Sequence, residues 1–353
     1  HNTIDSTGYI GIDFRTGNTI IKSNHISNFC LVKDDGGGIY TWENNHGHNT
    51  IESNIISNGV GAGEGTINPT HFFASGIYID DRSSDVLIKN NEISNCATSG
   101  IFLHNAKAIT IVGNRLFKNG NSRSNKENGQ LYIKLDTLGQ FAGNYNLQLD
   151  IRMNTMIAVS EASYCTYLSA DKKQHLLNLG KFNQNEFSAG RIHQAVAELY
   201  QEGSCSAPKE FSLVEWQRES GYEKSSIFKQ LFSDGSFEII SENLISNGNM
   251  TASTKGWMVW PDKLSVVSEK NEDSDGAALK IDFPAGSTEA LLYHAGFSLR
   301  KGTLYRLSFS ARSLQEGKLE VVPLMANSPW QALGEYSCFS IGPISKTFIY
   351  YFS

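Results

Sequence analysis

Three eight-residue stretches are nearly identical: "IKSNHISN" (residues 21–28), "IESNIISN" (51–58) and "IKNNEISN" (88–95). Looser copies follow in "IVGNRLFKN" (111–119), "IRMNTM" (151–156) and "FNQNEF" (182–187). Their shared core is apolar-x-x-Asn-x-apolar, with the Asn at positions 24, 54, 91, 114, 154 and 185. A repeat of this kind constrains the fold more than any composition does, because each unit must stack on its neighbours to bury its apolar face. The shortest spacing, 23 residues between Asn91 and Asn114, suits a coil of three short strands. No period of 3.6 residues runs through the copies, so helical repeats are excluded. One Asn per coil predicts a stacked side-chain ladder at a turn, with Asn in left-handed geometry.

A second repeat precedes the first. "GYIGIDF", "GIYTWEN", "GIYIDDR" and "GIFLHNA" begin at Gly8, Gly38, Gly76 and Gly100. Each is a Gly followed by alternation, which predicts a strand with one buried face. In "KDDGGGIYTW" (33–42) the Gly run reads as the flexible corner where an inserted loop rejoins such a strand.

These repeats resemble the right-handed parallel β-helices of the pectate-lyase-like superfamily of carbohydrate-active enzymes, most clearly over residues 1–190. The resemblance implies a solenoid over 1–195, whose sheets carry equivalent positions of successive coils about 4.8 Å apart. It leaves the reaction open, since that fold serves lyases, hydrolases, epimerases and tailspikes.

Stacking the strands on their inward pairs (Ile10/Ile12, Ile39/Thr41, Ile77/Ile79, Ile101/Leu103, Leu131/Ile133) gives two outward columns. One reads Gly11, Tyr40, Tyr78, Phe102, Tyr132; the next reads Asp13, Trp42, Asp80, His104, Lys134. Aromatic faces stack on sugar rings, and charged groups between them supply hydrogen bonds and acid–base chemistry. The columns therefore predict a sugar-binding groove with Tyr40, Trp42, Tyr78 and Tyr132 as contacts. The bland alternative is that the aromatics support a crossing loop. The 59–75 insertion brings Glu64 and His71 toward the same strands, and a long Gly-rich loop inside a solenoid is usually functional.

A glycoside hydrolase needs two carboxylates. Asp80, with His104 one coil away, is the first candidate. Its partner is sought among Asp35, Asp34, Asp81 and Glu64, although Asp81 equally suits a turn cap. A lyase would need a base, Lys134 or His104, and a group to neutralise a uronate, either Arg82, Arg115 or bound Ca²⁺. Hydrolysis requires no cofactor; Ca²⁺ remains an option. The aligned columns hold no Arg, which places the lyase second and a non-catalytic adhesin or tailspike-like binder third. The pair His46/His48 lacks a third ligand and predicts no metal site.

The charge balance, 30 basic against 36 acidic residues (net −6), and the lack of a basic stripe argue against nucleic acid. No run of 18 apolar residues predicts a membrane span. Five cysteines without a CxxC pair predict buried thiols rather than a disulfide framework.

After Phe187 the repeats fade. "FSLVEWQRESGYEKSS" resembles the segment closing the last coil in secreted β-helix glycosidases, so 196–241 is expected to cap and link. "ENLISNGNMTASTKGWMVWP" (242–261) resembles the opening of carbohydrate-binding modules of families 4 and 9 through Asn243, Leu244, Asn247, Gly248, Gly256 and Trp257. That resemblance implies an antiparallel, jelly-roll-like β-sandwich over 242–353, with Trp260, Tyr293 and Trp330 as possible glycan contacts. Both chain ends read as truncated. The combined expectation is an all-β, secreted or periplasmic, monomeric enzyme acting on a polysaccharide or oligosaccharide.

Overall fold

The computed structural model describes the chain except for residues 67–70, 121–127, 137–146, 160–162, 191–192, 201–207, 232–241, 252, 262–263, 271–275, 284–289, 301–302, 304, 329, 331, 334–336 and 353. Its first part is a right-handed parallel β-helix. Three sheets run along it, with eight, ten and six strands. The first sheet is parallel from Thr3–Asp5 through His25–Phe29 and Ile55–Gly59 to Ile227–Gln230. The second holds Ile12–Asp13, Gly36–Thr41, Ala74–Ile79, Ser99–His104, Gly129–Leu135, Tyr164–Ala170 and Val196–Tyr200 in parallel. Parallel pairing thus continues past residue 195, as Thr166 opposes Val196 and Glu186 opposes Ile227.

The Asn repeat forms the predicted ladder. Each carboxamide Nδ2 donates to the Oδ1 of the next: Asn24 to Asn54 (3.0 Å), then Asn91 (3.0 Å), Asn114 (3.0 Å), Asn154 (3.0 Å) and Asn185 (3.1 Å). The same Oδ1 accepts the previous Asn's backbone N–H, at 2.9 Å in every step. Asn2 adds a rung at one end, and Glu223 accepts from Asn185 at the other. The left-handed residue is not the ladder Asn but the one before it: Ser23, Ser53, Asn90, Gly113, Met153 and Gln184 all have φ between 53° and 68°. The backbone turns there and delivers the next side chain inward.

The Gly column also has a different cause from the expected one. Gly36, Gly37 and Gly38 are buried strand residues, and the positive φ falls on Asp35 (54°). A Cβ on Gly38 would lie 2.6 Å from Ile56 and 2.9 Å from the Gly76 carbonyl; one on Gly76 would lie 2.7 Å from the Gly100 carbonyl. Glycine is needed there because successive coils approach too closely for a side chain.

Helix Leu213–Ser220 closes the last coil. Ser212 and Glu215 form a capping box, and Gly221 ends the helix at φ 76°. Trp216 packs on Phe211 and Tyr222. Lys209–Phe211 pairs antiparallel with the last coil's strand, and Ser337–Ile341 continues that sheet. The remaining C-terminal strands form antiparallel pairs, such as Trp257–Trp260 with Leu291–His294, and fit a β-sandwich. Cys30, Cys96 and Cys165 are buried free thiols as expected, but Cys338 is disulfide-bonded, with a partner outside the described residues.

Candidate active site

The true register corrects the first coil. Ile12 opposes Ile39 and Asp13 opposes Tyr40, two residues away from the sequence alignment. Asp13 therefore stands in the aromatic column, where it holds Arg15 through two bonds (Nε to Oδ1 2.7 Å, Nη2 to Oδ2 3.0 Å). From the second coil on, the predicted columns hold: Tyr40 opposes Tyr78, Phe102, Tyr132 and then Tyr167, while His104 opposes Lys134.

The aromatic column points outward but does not reach water. Tyr40, Tyr78, Phe102, Tyr132 and Tyr167 are all less than 9% exposed and pack as a second apolar cluster. Phe102 stacks on Tyr132 at 4.3 Å, and Phe73 of the inserted loop lies edge-on to Tyr78 and Phe102. The loop uses these rings as its floor, so Tyr40, Tyr78 and Tyr132 are not sugar-stacking faces. Trp42 differs: it is 40% exposed, with the Arg15 guanidinium 5.6 Å from its ring centre. The loop also carries His71, which stacks on Phe73 and contacts buried Asp34 at 3.4 Å. Glu64 lies in a short 3₁₀ turn, Gly63–Gly65, and is exposed.

Beside this floor, strand ends of consecutive coils bring carboxylates around His104. Its Nδ1 lies 3.0 Å from Asp80 Oδ1, and its Nε2 lies 2.9 Å from Asp136 Oδ2. Asp81 Oδ2 stands 3.9 Å from Nδ1. Asn105 ties the group together, donating to Asp81 (2.7 Å) and Asp136 (2.8 Å) and accepting the Asp136 N–H. Asp80 also accepts from the Tyr78 hydroxyl (2.9 Å) and the Asp81 N–H (2.8 Å) on Oδ1, and from the Tyr40 hydroxyl (2.8 Å) on Oδ2. Oδ1 is saturated, which leaves Oδ2 as the oxygen with accepting capacity.

The electrostatics follow from these bonds. Burial alone would lower the His104 pKa, but Asp80 and Asp136 outweigh it and raise it. With both ring nitrogens facing carboxylates, the ring is an imidazolium. Burial pushes Asp80 up, yet the bonds from His104, the Asp81 N–H and Tyr40 bring it below the ordinary value. Asp136 is likewise lowered, by His104 and Asn105 against its burial. Asp35 goes the other way. It is exposed on the rim, and partial desolvation, then the charges of Asp80 and Asp34, raises it. Burial also raises Asp34 against its bond from His71.

Asp80, Asp81 and His104 offer ligand atoms within 4.8 Å of one another. The donor set does not suit Ca²⁺, which takes oxygen ligands: an imidazolium already stands among the carboxylates. Asp136 was missed in the sequence. It falls just beyond Gly129–Leu135, one residue past the end of the alternation that marked the columns. Lys134 neighbours His104 in register, and its charge helps lower Asp136. On the C-terminal unit, Trp260 and Trp330 are exposed at 56% and 61%. Trp260 shares one face of its strand pair with Met258, Leu291 and Tyr293, all exposed.

Fold and site together define a parallel β-helix protein carrying a carboxylate–imidazolium cluster at a loop-lined sheet edge. A family model described as right handed beta helix region matches residues 1–138. No curated protein matches the chain.

Proposed function

We propose that the chain is a secreted polysaccharide-degrading enzyme, and that it acts as a glycoside hydrolase. The observation that carries this reading is the opposed pair Asp35 and Asp80. Their environments push them in opposite directions: desolvation and the charges of Asp80 and Asp34 raise Asp35, while bonds from His104, the Asp81 N–H and Tyr40 lower Asp80 against its burial. Two carboxyl groups driven apart in this way are suited to act as acid and base. In this assignment Asp35 carries the proton to the glycosidic oxygen. Asp80 Oδ2 attacks the sugar or activates water, with His104, Tyr78 and the Asp81 N–H holding the carboxylate still. Trp42 supplies the neighbouring sugar platform. The exposed face of Trp260 and Tyr293 supports a glycan-binding role for the C-terminal unit, in line with its likeness to modules of families 4 and 9. The bonded Cys338 favours an oxidising, extracytoplasmic compartment.

A screen on plant and algal polysaccharides tests the reading. New reducing ends without an unsaturated-uronate chromophore indicate hydrolysis. The chromophore's appearance would instead establish the lyase. Binding without either signal would make the protein an adhesin.

A further inference from the structure

Resting on the reading just given, we infer that the groove takes a glycan without negative charge, either neutral or amino-bearing, and rejects polyuronates. Asp80, Asp81 and Asp136 follow parallel strands of the second sheet and crowd around His104, while Asp34 and Asp35 lead into the strand Gly36–Thr41. Among the described residues, the cations near them are engaged apart from Lys134. Arg15 is held by Asp13 and packs against Trp42. His104 is clamped between Asp80 and Asp136. Arg82 pairs with Glu43, and His71 lies against Asp34. Lys134 faces a cluster in which the acids outnumber it, and its field already acts on Asp136.

A uronate carboxylate entering beside Trp42 would need a guanidinium or ammonium to accept it. Instead it meets Asp81 and Asp136, whose side chains are 32% and 22% exposed. Juxtaposed like charges disfavour a partner strongly, whereas a hydroxyl can donate to the same oxygens and an ammonium can pair with them. The aromatic contact at Trp42 is indifferent to this choice, since every pyranose has an apolar face. Charge at the groove therefore sets the substrate class, and Trp42 sets where the ring lies.

Affinity electrophoresis of the full chain tests this, in EDTA at low salt, through gels holding β-glucan, galactan, chitosan, polygalacturonate or alginate. Retardation by a neutral or amino-bearing polymer is expected to exceed that by either polyuronate at least about tenfold. Trp42→Ala is expected to abolish the preference, which places it in the groove rather than on the C-terminal unit. Asp81→Asn should narrow the gap, and added salt should narrow it in the parent protein. Equal or stronger retardation by polygalacturonate or alginate would overturn the inference, as would a preference unchanged in Trp42→Ala. Reducing-end release in the same panel reports separately on catalysis. Cleavage of polyuronate in EDTA would sink the substrate class while leaving the enzyme reading intact. Neutral-glycan binding without cleavage would do the reverse.

Discussion

Two polar clusters cross the coils of one β-helix, one inside and one outside, and they satisfy their hydrogen bonds in opposite ways. In the interior ladder every carboxamide receives from the coil before and gives to the coil after. Its second hydrogen goes to a backbone carbonyl, as from Asn91 to Ile51 (3.0 Å). The cluster is neutral, closed and identical from rung to rung. The cluster around His104 holds unlike groups, carries net negative charge, and keeps Asp81 and Asp136 partly open to water. A closed periodic network rigidifies a fold. In the open charged one His104 holds Asp80 and Asp136 ionised while desolvation works against the charge of Asp34 and Asp35, and such divided sites persist where the charge has work to do.

The strongest way to break the comparison is to remove a rung. Asn91→Ala leaves the Asn54 backbone N–H and Nδ2 without their shared acceptor and the Ile51 carbonyl without its donor. Each orphaned buried group costs about 1–3 kcal/mol, so a total loss of about 3–6 kcal/mol is expected. The denaturation midpoint in urea measures it. A loss below about 1 kcal/mol would mean that the ladder is not what holds the coils in register.

Removing a charge from the outer cluster should do the converse. Asp35→Asn is expected to lower turnover about 10²–10⁴-fold, or about 3–5 kcal/mol in the barrier, with the urea midpoint held or raised. In the parent, activity should fall at high pH as Asp35 loses its proton, and at low pH as Asp80 gains one. Full activity in Asp35→Asn on a cleaved polymer would remove Asp35 from the acid role.

The same contrast explains what the sequence could reveal. Ladder residues recur, so Asn24 through Asn185 were legible before any coordinates, and the solenoid with them. Asp80 and His104 were legible because the alternation of Ala74–Ile79 and Ser99–His104 runs directly into the column they share. Asp136 was not, because it follows its strand and is recruited through Asn105 and His104. The aromatic column was legible as outward and misread as exposed: alternation tells which face a side chain takes, but not that Phe73 will fold back over it. The first coil slipped by two residues because Ile10 and Ile12 both fit an inward position of the alternation, and the chain places Ile12 opposite Ile39 and Gly11 against Gly38.

The ladder's C-terminal end tests its neutrality more gently. Glu223 is almost fully buried, and burial raises its carboxyl from 4.5 to about 7 against the bonds from Ser226 and Asn185. The folded state thus keeps a proton that the unfolded chain releases. The stability Glu223 contributes is complete below about pH 4.5 and lost as pH rises through about 7. Glu223→Gln keeps the shape and removes the charge. It should match the parent near pH 4 and exceed it at pH 8 by up to about 3 kcal/mol. Thermal melts across that range decide the point; parallel curves would show that the ladder tolerates a charged end.

The smallest expected effect lies where the two kinds of cluster meet. Tyr40 belongs by its ring to the buried floor and by its hydroxyl to Asp80. Tyr40→Phe keeps the floor packed and costs about 1 kcal/mol for the lost hydrogen bond. That bond is one of the contacts that lower Asp80, so its removal should move the acidic limb of the activity profile to higher pH while leaving the limb set by Asp35 in place. The shift is a readout that a purely structural tyrosine would not move. If both limbs stay fixed while stability drops, Tyr40 serves the loop's floor alone, and the base would be sought at Asp81 or Asp136, whose oxygens Tyr40 does not touch.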